Sequence, residues 1–141
     1  MSGTLLVRDV MTTNVKTVRP FSTVRDVVRK MNRFGIGSVM VVEEDRPVGI
    51  ITERDILQRI VEPFLDPSVI KAKDIMSTQL VTIGGDVSVE EAASLMARRK
   101  IKKLPVVENG KLVGIVTSMD VMRANPKIVG LLEELLKTKR S

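Results

Sequence analysis

Two short stretches hold residue types that could do chemistry, Thr52-x-x-Asp55 and Thr117-x-x-Asp120. A carboxylate can accept hydrogen bonds from two vicinal hydroxyls, and a helix N-terminus points backbone N–H groups at any nearby phosphate. The same spacing is also a helix N-cap device, with the hydroxyl accepting from the backbone one turn on. Thr23 with Asp26, and Ser88 with Glu91, repeat it at two other helix starts that are assigned no ligand role. Capping and binding can coexist. A third feature is the basic run Arg98-Arg99-Lys100-Ile101-Lys102-Lys103. Its first three residues suit a solvated helix end, where cations complement the dipole.

Composition narrows what these residues could serve. The 141 residues carry a net charge of +6 and contain neither Cys nor His. That excludes a thiol nucleophile, an imidazole base, a disulfide framework and the usual N/S zinc site. Metal chemistry would have to rest on carboxylates, in the manner of magnesium, and no metal ligands or catalytic residues are assigned. A binding protein is expected rather than an enzyme. No stretch approaches the roughly 18 apolar residues of a membrane span, and the N-terminus lacks the apolar core of a signal peptide. A soluble, cytoplasmic protein is the expectation. The eight Met residues read as core filler.

The elements that position these motifs come from an internal repeat. Laying residues 8–58 over 73–123 without a gap makes about 16 of about 51 pairs identical, where ordinary composition gives about three. R-D-V-M (8–11) falls on K-D-I-M (73–76), and the stretch 36–56 falls on 101–121. Each copy reads as strand, helix, strand, strand, helix. The first strands are placed at 15–18 and 80–83, the first helices at 24–34 and 89–100. Val89, Ala92, Ala93 and Met96 form one apolar face, with Ser88 and Glu91 as a capping box. The runs 39–42 with 48–51, and 104–107 with 112–116, are short and β-branched, hence hairpins. Asn109-Gly110 supplies one tight turn, and Asp45-Arg46-Pro47 a less ideal one. Further helices start at Glu53 and Ser118. The expected fold is mixed α+β, two β-α-β-β-α repeats about a pseudo-twofold axis. The boundaries are 7–60 for the first repeat, 61–71 for a linker, 72–123 for the second repeat and 124–141 for a C-terminal amphipathic helix. That helix starts at Asn125-Pro126 and is striped by Ile128, Leu131, Leu132, Leu135 and Leu136. Gly49 and Gly114 sit inside strands, which points to a bulge, tight packing or close approach of a ligand.

The duplicated G-I-I-T-E-R-D (49–55) and G-I-V-T-S-M-D (114–120), the D-[VI]-M openings and the strands I-G-S-V-M-V-V and I-K-K-L-P-V-V resemble the CBS domain, named for cystathionine β-synthase. The resemblance covers about residues 7–123 and its tandem arrangement is that of a stand-alone Bateman module. It implies a regulatory module for adenosine ligands: AMP, ADP or ATP, with S-adenosylmethionine less favoured. It further implies two clefts, each crossing the copies. One would take Val15, Ile36, Gly37, Ser38, Ile115, Thr117 and Asp120; the other Leu80, Ile101, Lys102, Lys103, Ile50, Thr52 and Asp55. In such modules the Asp holds ribose hydroxyls, the Thr lies near ribose and phosphate, and Ile50 and Ile115 offer backbone groups.

Charge separates the copies. Residues 1–70 carry 10 basic and 9 acidic groups (+1), whereas 71–141 carry 13 and 8 (+5). Lys102 and Lys103 align with Gly37 and Ser38, at positions that reach phosphates in related modules, so the two clefts should differ. They favour a phosphorylated ligand over a sulfonium. No cofactor is required. A homodimer is expected, acting on a regulated protein whose identity the chain does not carry. The alternatives are an RNA-binding module, disfavoured because 2% aromatic residues leave few stacking platforms, and a dimerisation module with degenerate clefts.

Overall fold

The computed structural model describes residues 4–130, 132 and 133. The chain divides into two compact units, one of Val15–Leu80, the other of the residues up to Asn14 together with those from Val81 on. These units do not coincide with the sequence repeats, and the reason lies in the short helices that open each repeat.

In the 15–80 unit, β1 (Thr17–Val18) runs parallel to β2 (Ser38–Glu43), which pairs antiparallel with β3 (Arg46–Thr52) in the order β1-β2-β3. Helix α2 (Val24–Phe34) starts where the Thr23 hydroxyl accepts from Asp26 N at 3.1 Å and stops at Gly35, whose φ of 61° suits glycine. Its buried face is Val24, Val27 and Met31, packed with Val39, Val41 and Ile51 of the sheet. The β2–β3 turn places Glu44 and Asp45 at positive φ, while Arg46 and Pro47 already belong to β3. The turn thus lies one residue earlier than expected, because the type I′ geometry needs two consecutive left-handed residues. Helix α3 (Glu53–Ile56) continues into a π turn, Leu57–Val61, and α4 (Ala72–Ile75) closes the unit.

The other unit is built on β4 (Lys103–Glu108) and β5 (Lys111–Thr117), paired antiparallel. Asn109 and Gly110 take the two left-handed positions, as the sequence indicates. Helix α5 (Val89–Arg99) buries Val89, Ala92, Ala93 and Met96. The Ser88 hydroxyl accepts from Glu91 N at 3.1 Å, but among the described residues only this serine half of the expected capping box is formed. The expected strand at 80–83 reduces to one parallel bridge, Ile83 to Val106. After α6 (Ser118–Ala124), Asn125 Oδ1 accepts from Lys127 N at 3.1 Å and Pro126–Ile128 forms a 3₁₀ turn, so the cap and proline open helical structure where expected, with a 3₁₀ first turn and α-helical residues from Val129. Ile128 and Leu132 are buried in this unit's core; Leu131, Leu135 and Leu136 lie outside the described residues.

The D-[VI]-M segments explain the division. In α1 (Val7–Val10) Asp9 Oδ2 accepts from Leu6 N at 2.9 Å, and in α4 Asp74 Oδ2 accepts from Lys71 N at 3.1 Å. Each short helix ends on a methionine that lies over a strand glycine. Met11 covers Gly114, where a Cβ would meet its sulfur at 2.6 Å, and Met76 covers Gly49 more closely still. Thr12 pairs with Ile115 and Ser77 with Ile50. So α1, which opens the first repeat in sequence, packs on the hairpin of the second, while α4 packs on the hairpin of the first. The in-strand glycines are there for packing: β2 and β4 shift register beside them, between Val41 and Val42 and between Val106 and Val107, and methionine fills the space a side chain would take.

Candidate functional site

Both Thr-x-x-Asp motifs sit where a strand runs directly into a helix. In the 15–80 unit, the Thr52 Oγ1 accepts from Asp55 N at 3.2 Å, and Asp55 Oδ2 accepts from Thr52 N at 2.9 Å and from Thr52 Oγ1 at 3.1 Å. In the other unit, Thr117 Oγ1 accepts from Asp120 N at 3.1 Å and Asp120 Oδ2 from Thr117 N at 2.9 Å. These are closed capping boxes. Thr23 with Asp26 and Ser88 with Glu91 make only the hydroxyl bond, and their acids are exposed. Spacing alone does not separate the two kinds; burial does. Asp55 is 8% exposed, against an ordinary expectation that an acid stays in solvent.

With Oδ2 committed to the cap, the other oxygen is the one each acid can turn to a ligand. Asp55 Oδ1 faces Arg59 Nε at 3.9 Å, and Asp120 Oδ1 faces Arg123 Nη1 at 3.5 Å. The strand starts lie beside these boxes because antiparallel pairing brings the head of one strand to the tail of the next. Ser38 pairs with Thr52, and Glu53 N donates to Gly37 O at 3.0 Å. Lys103 pairs with Thr117, and Ser118 N donates to Lys102 O at 2.9 Å. Each unit therefore gathers a strand start and a capped acid at one sheet end. Their charges differ: Lys102 and Lys103 flank Thr117, whereas Gly37 and Ser38 flank Thr52, with the Glu53 carboxylate against Gly37.

The Ile50 amide donates to Ser77 O at 3.0 Å and its carbonyl accepts from Ser77 N at 2.9 Å; Ile115 and Thr12 do the same at 2.9 and 2.8 Å. Their N–H groups are spent within each sheet, so Ile50 and Ile115 have side chains and a second carbonyl lone pair left to offer. Ile36 N and Ile101 N are likewise bonded, to Met31 O and Met96 O. Val15 and Leu80 are half-buried at the two ends of the 15–80 unit. Each set named from the sequence draws on both units, and each unit supplies the half described above. The sequence singled out neither Arg59, which contacts Asp55 and the carbonyl of Ile75, nor a groove of about 240 Å³ between α2 and α3 lined by Val28, Met31, Asn32, Ile36, Glu53 and Leu57 among others. No group of three or more metal-ligating side chains occurs among the described residues, and no helix among them is long and apolar enough to cross a membrane.

The sequence profile of the CBS domain matches residues 7–62 and again 72–127. An uncharacterised protein of Methanopyrus kandleri is 42% identical over 133 residues, spanning 93% of this chain and 68% of its own. A CBS domain pair solved in complex with 5′-methylthioadenosine and S-adenosyl-L-methionine superposes with a TM-score of 0.75 at 26% identity, covering 88% of this chain and 98% of that one. A hexameric CBS-CP12 protein from bloom-forming cyanobacteria superposes with a TM-score of 0.74 at 30% identity, covering 86% and 68%.

Proposed function

The chain belongs to the CBS domain family, as a pair of such repeats, and from that premise we propose that it is a regulatory module that binds an adenine nucleotide and carries out no catalysis. The observation that carries this reading is the pair of closed, part-buried capping boxes. Each holds a carboxylate by one oxygen and leaves the other beside an arginine, at a helix start adjoining a strand start. Asp55 and Asp120 accept from ribose hydroxyls, with Thr52 and Thr117 beside them. Lys102 and Lys103 supply cations for phosphate, which favours AMP, ADP or ATP over a sulfonium ligand. AMP has about 23 heavy atoms, and about −0.3 kcal/mol for each gives about −7 kcal/mol, or a Kd of about ten micromolar. That suits sensing of cellular adenylates.

The similar CBS pair bound to two adenosyl compounds supports adenosine as the common part of the ligand. The hexameric relative supports self-association, with a homodimer as the smallest unit. Thermal-shift and calorimetric titration with adenosine, AMP, ADP, ATP and S-adenosylmethionine tests the reading. A nucleotide is expected to raise the melting temperature at micromolar to millimolar concentration; no response to any adenosine compound at millimolar concentration overturns it.

A further inference from the structure

The two acids are held differently. Asp55 has Arg59 one turn along, in the π turn that follows α3. The Arg59 guanidinium is itself tied down: Nη1 donates to Ile75 O at 2.7 Å and reaches Met76 O at 3.5 Å. These carbonyls end α4, where Met76 covers Gly49 and Ser77 pairs with Ile50. With Nη1 anchored there, Nε lies 3.9 Å from Asp55 Oδ1, an ion-pair contact rather than a hydrogen bond. The π turn closes with Glu62 N donating to Leu57 O at 2.9 Å; such wide turns often accompany functional positions. In the second repeat the position of Arg59 is occupied by Ala124, and α6 runs as a regular helix to that residue. Asp120 Oδ1 faces instead Arg123, at i+3 and with its side chain 70% exposed.

We propose that Arg59 is a positioning residue that braces the Asp55 carboxylate against the end of α4, so that Oδ1 is already oriented for a ribose diol. This rests on the adenine-nucleotide reading above. Both acids are held by their caps, but the arginine beside Asp55 is tied to a second element, whereas the one beside Asp120 is 70% exposed and would have to be ordered on binding. The Asp55 site is therefore the tighter and more ribose-selective of the two. In the second repeat, alanine at 124 removes the brace.

The test uses calorimetry with AMP and 2′-deoxy-AMP. In an Asp120→Asn background only the Asp55 site is read. Adding Arg59→Ala is expected to weaken AMP about tenfold and 2′-deoxy-AMP less than about threefold, because an oriented hydrogen bond to the 2′-hydroxyl is lost. Arg59→Lys, which keeps the cation but not the forked anchor, is expected to fall between the two. In an Asp55→Asn background, Arg59→Ala is expected to leave AMP affinity unchanged. Equal weakening of both nucleotides by Arg59→Ala means a structural role only and overturns the proposal, as does an equal loss at the Asp120 site. Unchanged binding of both overturns it too. If the unaltered protein binds no AMP, the adenine-nucleotide reading fails and this inference falls with it; normal AMP binding with unaltered ribose discrimination sinks this inference alone.

Discussion

At Asp55 and Asp120 one carboxylate answers two demands, closing a helix cap through Oδ2 and keeping Oδ1 for another partner. Under the proposed function this division separates stability from binding. Asp55→Asn and Asp120→Asn retain an oxygen for the cap bond, so each is expected to cost about 1 kcal/mol or less. Each is also expected to remove one nucleotide site, read as a fall in calorimetric stoichiometry from two to one with the melting temperature lowered by only a few degrees. A collapse of the fold with loss of both sites would contradict it. Lys102→Ala with Lys103→Ala should weaken AMP more than adenosine, because only the former has a phosphate to lose contact with; equal loss would remove the lysines from the phosphate role. The acid and hydroxyl types were legible from spacing. Which acids are buried was not, since Asp26 and Asp55 share the same local pattern and differ only in what the rest of the unit packs around them.

Among the elements, the short helices α1 and α4 each lay a methionine over a strand glycine. A Cβ at Gly49 would meet Met76 down to its Cβ, at 2.9 Å, whereas one at Gly114 would meet Met11 and also Thr12 O, a backbone atom, at 2.9 Å. Overpacking of this kind costs about 1–3 kcal/mol. Gly114→Ala is expected at the upper end and Gly49→Ala at the lower, measured by urea unfolding, and Met76→Ala should recover part of the Gly49→Ala loss but Met11→Ala little of the Gly114→Ala loss. The reverse order would mean that the backbone at Thr12 yields more easily than the methionines. The β2–β3 turn offers a stabilising change. Asp45 has φ of 66°, so Asp45→Gly, which reproduces the Asn109-Gly110 pattern of the other hairpin, should add about 0.5–1 kcal/mol. The hairpins, α2 and α5 were readable because their signals are periodic and local. The turn residue and the strand at 80–83 were not, because strand length depends on a partner that the local pattern does not specify.

At the scale of the whole molecule, exposed apolar side chains concentrate after α3, where Leu57 is 60%, Val61 57% and Phe64 94% exposed. The self-association proposed above would give these side chains, beside the 240 Å³ groove that Leu57 borders, a surface to cover them. Leu57→Asp with Phe64→Asp should shift sedimentation towards the monomer without unfolding the chain; an unchanged oligomer would place the contact elsewhere. The net charge of +6 has two components at this scale. Part of the basic run ends α5, and Lys102 and Lys103 lead into the strand beside Thr117.

The duplication, the two hairpins, α2 and α5, and the Thr-x-x-Asp pattern at helix starts were determined by the sequence alone, because each depends on periodicity or on residues within one helical turn; the short helices α1 and α4, and which of the capping acids are buried, were not. The tertiary structure decided the rest. Met11 on Gly114 and Met76 on Gly49 exchange the leading segments of the two repeats, and Arg59 reaches Ile75 across 16 positions. Such contacts join residues distant in the chain, and only their packing, the bond lengths available and the exclusion of water determine which of the equivalent local patterns is used.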